Sequence, residues 1–214
     1  VVIPLLSRLR GERERYLGAY IEASTYLMML TQPVIVILIV FAEDVFAVLL
    51  GERWVSAAPI FQVLGICGLQ QIFTNTYFWL FVSQGRAKEL FQLSVFRAVI
   101  TCAAFVAGLP WGALGVATAY AASDILVRMP LQSWVLTRKG PLTPGALTRS
   151  LVPHLAATLC AAIAALGMAH QFEVTVWMFV LTAGLCEIVY VGVLVLFPDK
   201  RRILRNALRR WTQR

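Results

Sequence analysis

Long apolar runs separated by short polar segments make up most of this chain. Each run holds about 20 residues, the length that crosses the hydrocarbon core of a bilayer, whereas a buried strand needs only about 4–8. The pattern therefore predicts an all-α membrane protein with six transmembrane helices. The spans are expected at 24–42, extended as a helix toward Leu50, and at 59–82, 90–109, 111–136, 151–169 and 175–197.

Polar segments rich in arginine, proline and glycine divide these spans into larger units. We expect a cytoplasmic connector with the end of a preceding helix at 1–20, a core of four spans at 21–136, a second cytoplasmic connector at 137–150, two additional spans at 151–197, and a basic cytoplasmic tail at 198–214.

The tail has the pattern of a helix that lies on a membrane surface. Its apolar positions recur at helical spacing, with lysine and arginine between them: Ile203, Leu204, Ala207, Leu208 and Trp211. A basic amphipathic helix of this kind binds anionic lipid. The alternative is a disordered basic tail.

Composition and charge agree with a membrane protein. The chain is 59% hydrophobic and 14% charged, against about 45–50% and about 25% in soluble domains. Nearly all of the 19 lysines and arginines fall in the tail and in the loops on the starting side. Because cytoplasmic loops carry the excess of positive charge, both ends are expected in the cytoplasm. This distribution disfavours a nucleic-acid-binding domain, whose basic residues cluster on one folded face.

No pattern in the chain points to a cofactor, a metal ion or catalysis. The four cysteines lie inside apolar runs without CxxC spacing, and His154 and His170 stand near opposite ends of one predicted span. Nucleotide-binding, serine-nucleophile and zinc-protease motifs are missing from the sequence. We therefore expect a protein that is not an enzyme and that, if it transports, uses an ion or substrate gradient.

Three charged residues inside the predicted spans are the first candidates for function. Asp124 and Arg128 are four residues apart and share a helix face, and Arg97 lies at comparable depth in the preceding span. Buried arginines could bind a pyrophosphate or an acidic sugar through paired hydrogen bonds. Alternatively, both arginines could pair with Asp124 and hold two helices together, or Arg128 could extend to the headgroups.

Weaker candidates lie in the second and sixth spans. Gln71 and Asn75 could bind sugar hydroxyls, or could form hydrogen bonds between helices. Glu187 could titrate during proton coupling, or could be a protonated, hydrogen-bonded side chain.

Several segments resemble Wzx-type polysaccharide flippases. The resemblance rests on residues 3–9 (IPLLSRL) followed by Glu14, Arg15 and Tyr16, on 49–54 (LLGERW) followed by 57–64 (AAPIFQVL), on Gly85 and Arg86, and on 112–117 (GALGVA). It covers about residues 3–136, and the last two spans match only as generic extra helices.

The resemblance implies two lobes around a central cavity, with this chain supplying most of the second lobe and an amino-terminal lobe missing. The expected function is flipping of undecaprenyl-pyrophosphate-linked oligosaccharide across the bacterial inner membrane for polysaccharide synthesis. Two alternatives stay open: a cation-coupled multidrug antiporter of the same superfamily, and a non-transporting membrane subunit or glycosyltransferase of a polysaccharide assembly complex.

Overall fold

The computed structural model describes residues 2–9, 11–140, 142–171 and 176–212, and within these ranges every regular element is helical. The α-helices are α1 (Val2–Arg8), α2 (Arg13–Val40), α3 (Ala42–Leu50), α4 (Ala58–Ser83), α5 (Ala87–Gly108), α6 (Gly112–Ser123), α7 (Met129–Lys139), α8 (Pro144–Gln171), α9 (Val176–Leu196) and α10 (Pro198–Thr212). Short 3₁₀ turns cover Glu52–Ala57 and Leu109–Trp111, and a π-helical turn covers Asp124–Arg128.

Five of the described segments are long and apolar enough to cross a membrane, which confirms the predicted all-α membrane class. One of them, Ala87–Arg138, has 52 residues. A straight helix of that length would measure about 78 Å, more than twice the thickness of a hydrocarbon core. The chain instead turns back at Leu109–Trp111, and α5 packs against α6. Because this segment folds into a hairpin of two apolar helices, the five segments together supply six apolar helices.

Glycines allow this reversal. Gly112 adopts a φ of 68°, in the left-handed region that glycine enters without a steric penalty. A Cβ on Gly108 would lie 2.6 Å from the carbonyl oxygen of Gly115. The two arms of the hairpin thus meet backbone to backbone, a packing that small residues make possible in membranes.

The first long helix differs from its prediction at both ends. It begins at Arg13 rather than near Ser24, because Tyr16 and Tyr20 are buried against other helices and extend the ordered segment beyond the apolar run. It ends at Val40, so the predicted continuous extension toward Leu50 is wrong. The backbone bends at Phe41, and α3 starts anew with acidic residues in its first turn, where they stabilise a helix amino terminus.

Helix α2 joins two parts of the bundle. It packs against α4 on one side and against α8 and α9 on the other. We call α4 to α7 the hairpin side, and α8 with α9 the α8–α9 side. Alanines at four-residue spacing line the core of the α8–α9 side, where Ala157, Ala161 and Ala165 are fully buried beside Tyr190.

The ends of several helices that adjoin basic loops lie together. The Tyr16 hydroxyl at the start of α2 is 2.6 Å from the Ser83 hydroxyl at the end of α4. Arg86, between α4 and α5, donates hydrogen bonds to the carbonyls of Val135 and Leu136 near the end of α7. When successive spans alternate in direction, every second loop lies at the same end of the bundle. These contacts bring the ends next to the basic loops together in that way.

The predicted amphipathic tail coincides with α10. Ile203 and Leu204 are half-buried, and Leu204 packs on the core of the α8–α9 side. The side chains of Ala207, Leu208 and Trp211 lie outside the described residues.

Candidate functional site

A π-helical turn interrupts the long helix that runs from Gly112 to Lys139. The amide of Met129 donates to the carbonyl of Asp124, five residues earlier, instead of to the usual fourth. Pro130 follows directly, and a proline inside a helix lacks an amide donor and clashes with the carbonyl four residues before it. A wider turn relieves that clash. Turns of this kind are frequent at functional sites.

The turn contains a buried ion pair. Arg128 Nε lies 3.1 Å from Asp124 Oδ1, and the side chains are only 3% and 1% exposed. The contact does not have the angles of a hydrogen bond, and neither carboxylate oxygen accepts a hydrogen bond from the described residues. Asp124 is therefore neutralised by charge alone.

Arg128 is held on several sides by the hairpin. Its guanidinium donates to Thr101 Oγ1 on α5 at 2.9 Å and to the Tyr120 carbonyl at 3.0 Å. Its Cζ also lies 4.2 Å from the centre of the Tyr120 ring, a cation–π distance. These contacts fix the side chain inside the protein, so it does not extend to the headgroups.

Arg97 lies on α5, one helical turn before Thr101. Its Nη1 donates to Gln132 Oε1 at 3.2 Å, and Gln132 Nε2 donates to the Thr74 carbonyl on α4 at 3.2 Å. Asp124, Arg128 and Gln132 are thus successive residues of one helix face, and we call them, with Arg97, the polar row. The structure brings Asp124 and Arg128 together, but Arg97 contacts the amide of Gln132 rather than the carboxylate.

Gln132, Thr101 and Tyr120 were not among the sequence candidates. The sequence could have identified Gln132, because it stands four residues after Arg128 and therefore shares the same helix face. Thr101 and Tyr120 are ordinary membrane-helix residues, and only the hairpin register shows their role.

Gln71 and Asn75 lie on an exposed face of α4. Gln71 Nε2 is 3.4 Å from the Tyr120 hydroxyl. Gln71 and Tyr120 line a cavity of about 530 Å³ between α4, α5 and α6. The neighbouring Gln70 is buried and donates to the Asp124 carbonyl at 3.4 Å. An amide-bearing cavity therefore adjoins the helix turn that holds the ion pair.

Glu187 lies apart from these residues in sequence and fold. It is half-buried on α9, a helix that packs on α8 and α2. Within the described ranges no ion pair involves its carboxylate.

A second polar cluster joins α2, α8 and α9. His154 Nδ1 is 2.7 Å from the Tyr190 hydroxyl, and Thr158 donates to Gln32 Oε1 at 3.0 Å. Gln32 Nε2 in turn donates to the Leu69 carbonyl on α4. We call His154, Tyr190, Thr158 and Gln32 the neutral network. The sequence placed His154 only near the end of a span and gave no sign of these partners.

The described residues contain no group of three or more histidine, cysteine, aspartate or glutamate side chains placed to hold a metal ion. The polar row instead offers guanidinium and amide groups, which bind anions and hydroxyls.

Comparison with known proteins finds relatives in polysaccharide synthesis. A family model described as "Polysaccharide biosynthesis protein" matches residues 1–59, the segment that contains the IPLLSRL and LLGERW motifs. The chain is 24% identical over 183 residues to the teichuronic acid biosynthesis protein TuaB of Bacillus subtilis, covering 81% of this chain and 36% of TuaB. It is 23% identical over 127 residues to the lipopolysaccharide biosynthesis protein WzxC of Escherichia coli, covering 59% of this chain and 26% of WzxC.

No solved structure matches the chain. The chain spans about a third of the length of TuaB and about a quarter of that of WzxC. The two relatives are described as biosynthesis proteins, one for teichuronic acid and one for lipopolysaccharide, and the family-model match at residues 1–59 includes the motifs at 3–9 and 49–54. The resemblance to Wzx-type polysaccharide flippases, expected from those motifs, is confirmed.

Proposed function

We propose that this chain is the carboxyl-terminal part of an inner-membrane flippase that moves undecaprenyl-pyrophosphate-linked oligosaccharide by alternating access. Both of its ends face the cytoplasm, and it acts with an amino-terminal lobe as a transporter rather than an enzyme. Support comes from the relatives in polysaccharide synthesis, from the limited share of their length that the chain spans, and from the excess of positive charge on one side.

The observation that carries the proposal is the charge balance of the polar row. Asp124 neutralises Arg128 inside the protein, whereas Arg97 contacts only a neutral amide among the described residues. The row therefore has one positive charge in excess, and that charge is on the half-buried Arg97. A guanidinium with free donors at this depth attracts a pyrophosphate, because it can form paired, charge-assisted hydrogen bonds.

Gln71 and Asn75 complete the proposed substrate surface. Their amides present donors and acceptors on the exposed face of α4, and Gln71 lines the cavity next to Tyr120. In this arrangement the pyrophosphate binds Arg97 and the sugar hydroxyls bind the amides. We assign no substrate contact to Asp124 and Arg128, which hold the hairpin in place. Glu187 is the proposed site of proton coupling.

The test is export of polysaccharide by the full-length protein in cells that lack their own copy. Arg97→Ala should lower export at least about tenfold while the amount of protein in the membrane stays normal, because one charge-assisted phosphate contact contributes about 1.5–3 kcal/mol. Arg97→Lys should retain part of the activity. Lys88→Ala is the matched control, because Lys88 is an exposed cation at the start of the same helix.

Purified Arg97→Ala protein should melt within a few degrees of the wild type. A large loss of thermal stability together with lost export would assign Arg97 to helix packing. Normal export at normal protein levels would exclude Arg97 from substrate binding.

The multidrug-antiporter alternative needs an acidic site open to cationic drugs. Asp124 is the deepest acid of the hairpin side, and its charge is cancelled by Arg128. Drug-resistance assays on the full-length protein decide the point: resistance that depends on Asp124 without any effect on polysaccharide would favour the antiporter.

A further inference from the structure

A cavity of about 590 Å³ lies between α2, α8 and α10, away from the polar row. Ile21 lines it from α2, Thr143, Arg149 and Ser150 from the start of α8, and Asp199 and Lys200 from α10. Five of the eight described lining residues are polar or charged, and the other three are Ile21, Gly145 and Ala146.

Lys200 lies under this cavity as a buried cation. Its side chain is 1% exposed, and its Nζ donates to Thr25 Oγ1 on α2 at 2.9 Å. An ammonium has three donors, and within the described part of the chain one of them is used. Burial lowers the pKa of Lys200 to about 8 because the ammonium is removed from water. A nearby anion would offset that cost.

Arg149 supplies a second positive charge at the mouth of the cavity. It is exposed on the first turns of α8, whereas Asp199 is the acid among the lining residues. The lining therefore carries one net positive charge. The exposed Arg201, Arg202 and Arg205 of α10 add to the positive potential around it.

The position of the cavity identifies the source of the anion. Helix α10 begins two residues after the apolar α9 ends, so Asp199 and Lys200 lie at the level where a membrane's headgroups begin. A phosphate group at this depth, next to apolar helix surfaces, belongs to a lipid more readily than to the aqueous phase.

We propose that this cavity binds the phosphodiester headgroup of an anionic membrane lipid, with Arg149 contacting the phosphate from the mouth and Lys200 providing charge from beneath. The bound lipid fixes α10 against α2 and α8. This site is separate from the polar row and does not depend on the flippase proposal.

The experiment uses the purified full-length protein in neutral detergent and three probes: dihexanoyl phosphatidylglycerol, dihexanoyl phosphatidylcholine and inorganic phosphate. Binding is measured by native mass spectrometry and by the shift in melting temperature. Phosphatidylglycerol should bind saturably and phosphatidylcholine about tenfold more weakly. Arg149→Gln should weaken phosphatidylglycerol binding about tenfold, and Lys200→Gln at least as much.

Arg202→Gln is the matched control, because it removes the same charge from an exposed position of α10 that does not line the cavity. If Arg149→Gln and Arg202→Gln weaken binding equally, the tail attracts lipid diffusely and the proposal is overturned. Equal binding of the two lipids also overturns it. Inorganic phosphate that binds as tightly as phosphatidylglycerol would overturn the assignment to a lipid. Lys200→Gln could disturb folding, but Arg149→Gln changes only an exposed side chain.

Discussion

The polar row on the hairpin side and the neutral network on the α8–α9 side both place polar groups inside a membrane bundle, but they satisfy them differently. In the neutral network, His154 meets Tyr190 at 2.7 Å and Thr158 meets Gln32 at 3.0 Å. In the polar row, the Asp124 carboxylate touches a guanidinium and accepts no hydrogen bond from the described residues.

The difference matters because the two solutions have different costs. Hydrogen bonds between neutral side chains hold membrane helices together at about 0.6–2 kcal/mol each. A buried ion pair must first overcome the desolvation of both charges, and a well-packed apolar pair would often be as stable. Stability explains the hydrogen bonds of the neutral network, although the buried His154 Nε2 has no hydrogen-bond partner among the described residues. In the polar row the functional explanation, which is the default for ionisable groups in membrane helices, falls on Arg97, because Asp124 and Arg128 hold the hairpin in place.

Helix geometry follows the same division. Helix α8 contains Pro153 but continues without a π-helical turn, and beyond that proline it presents a stripe of fully buried alanines to α9. The helix that carries the polar row is interrupted by a π-helical turn and by Pro130. Regular close packing resists rearrangement, whereas a π-helical turn can shift its hydrogen bonds. In the proposed transport cycle, the moving part is therefore expected on the hairpin side.

The largest expected effect comes from breaking the ion pair. Arg128→Ala leaves the Asp124 carboxylate buried without a counter-charge, which costs about 3–5 kcal/mol. We expect the full-length protein to reach the membrane at much lower levels and to melt at a lower temperature. Quantitative immunoblotting and thermal unfolding in detergent measure this.

The double variant Asp124→Asn, Arg128→Gln is the matched control, because it removes both charges and leaves none unpaired. It should restore most of the stability lost in Arg128→Ala. If the double variant is as unstable as the single one, the hydrogen bonds of Arg128 to Thr101 and Tyr120 hold the hairpin, and the ion pair does not.

The apolar runs predicted the helices well, but they could not predict the contacts between them. Hydrophobic periodicity identifies a buried face of one helix, and it placed Asp124 and Arg128 on the same face. Which residues of α5 oppose that face depends on the hairpin register. The register is set by the Leu109–Trp111 turn and by the close approach of Gly108 and Gly115.

Arg97 illustrates this limit. Counting about 1.5 Å per residue from the span ends puts Arg97 level with Asp124 and Arg128. In the structure the Arg128 guanidinium meets Thr101, and Arg97 meets Gln132 one turn away. A depth count places only the Cα atoms and does not show which way a long arginine side chain extends along the helices.

The neutral network was beyond prediction for a different reason. His154, Thr158 and Tyr190 are single polar residues in apolar helices, and Gln32 is more than a hundred residues away in sequence. Their hydrogen bonds form because α2 packs between α4 and α8. Hydrophobic periodicity does not predict which helices pack against each other.

A smaller effect is expected from the neutral network. Tyr190→Phe removes the hydroxyl that contacts His154 Nδ1 and should lower the free energy of unfolding by about 1–3 kcal/mol, because that nitrogen is left buried without its partner. Export per folded molecule should stay unchanged, because this network is structural. Export assays normalised to membrane protein level check the expectation. A loss of export at normal protein levels would instead give the network a part in proton movement, together with the proposed coupling residue Glu187, one turn away on α9.

The smallest effect concerns Lys200, at the end of the α8–α9 side. When α10 detaches, the pKa of Lys200 returns from about 8 toward the usual 10.5. Between these values the detached state binds more protons, so raising the pH strengthens docking, by about 1 kcal/mol from pH 7 to pH 9. The ammonium faces Thr25 on α2, Arg149 and His154 on α8, and Asp199 on its own helix. Thr25 does not titrate, and the Lys200→Met variant separates the contribution of Lys200 from those of the other neighbours.

Hydrogen exchange of the α10 amides measures the effect as a protection factor corrected for intrinsic rates. In Lys200→Met, which has no titrating group at this position, the rise with pH should disappear. Bound phosphatidylglycerol should reduce the rise in the wild type, because an anion beside the ammonium raises its pKa toward the value of the detached state. Protection that falls from pH 7 to pH 9 without lipid would mean that the charged ammonium stabilises the docked helix, and Lys200 would then resemble the ion pair of the polar row rather than the neutral network.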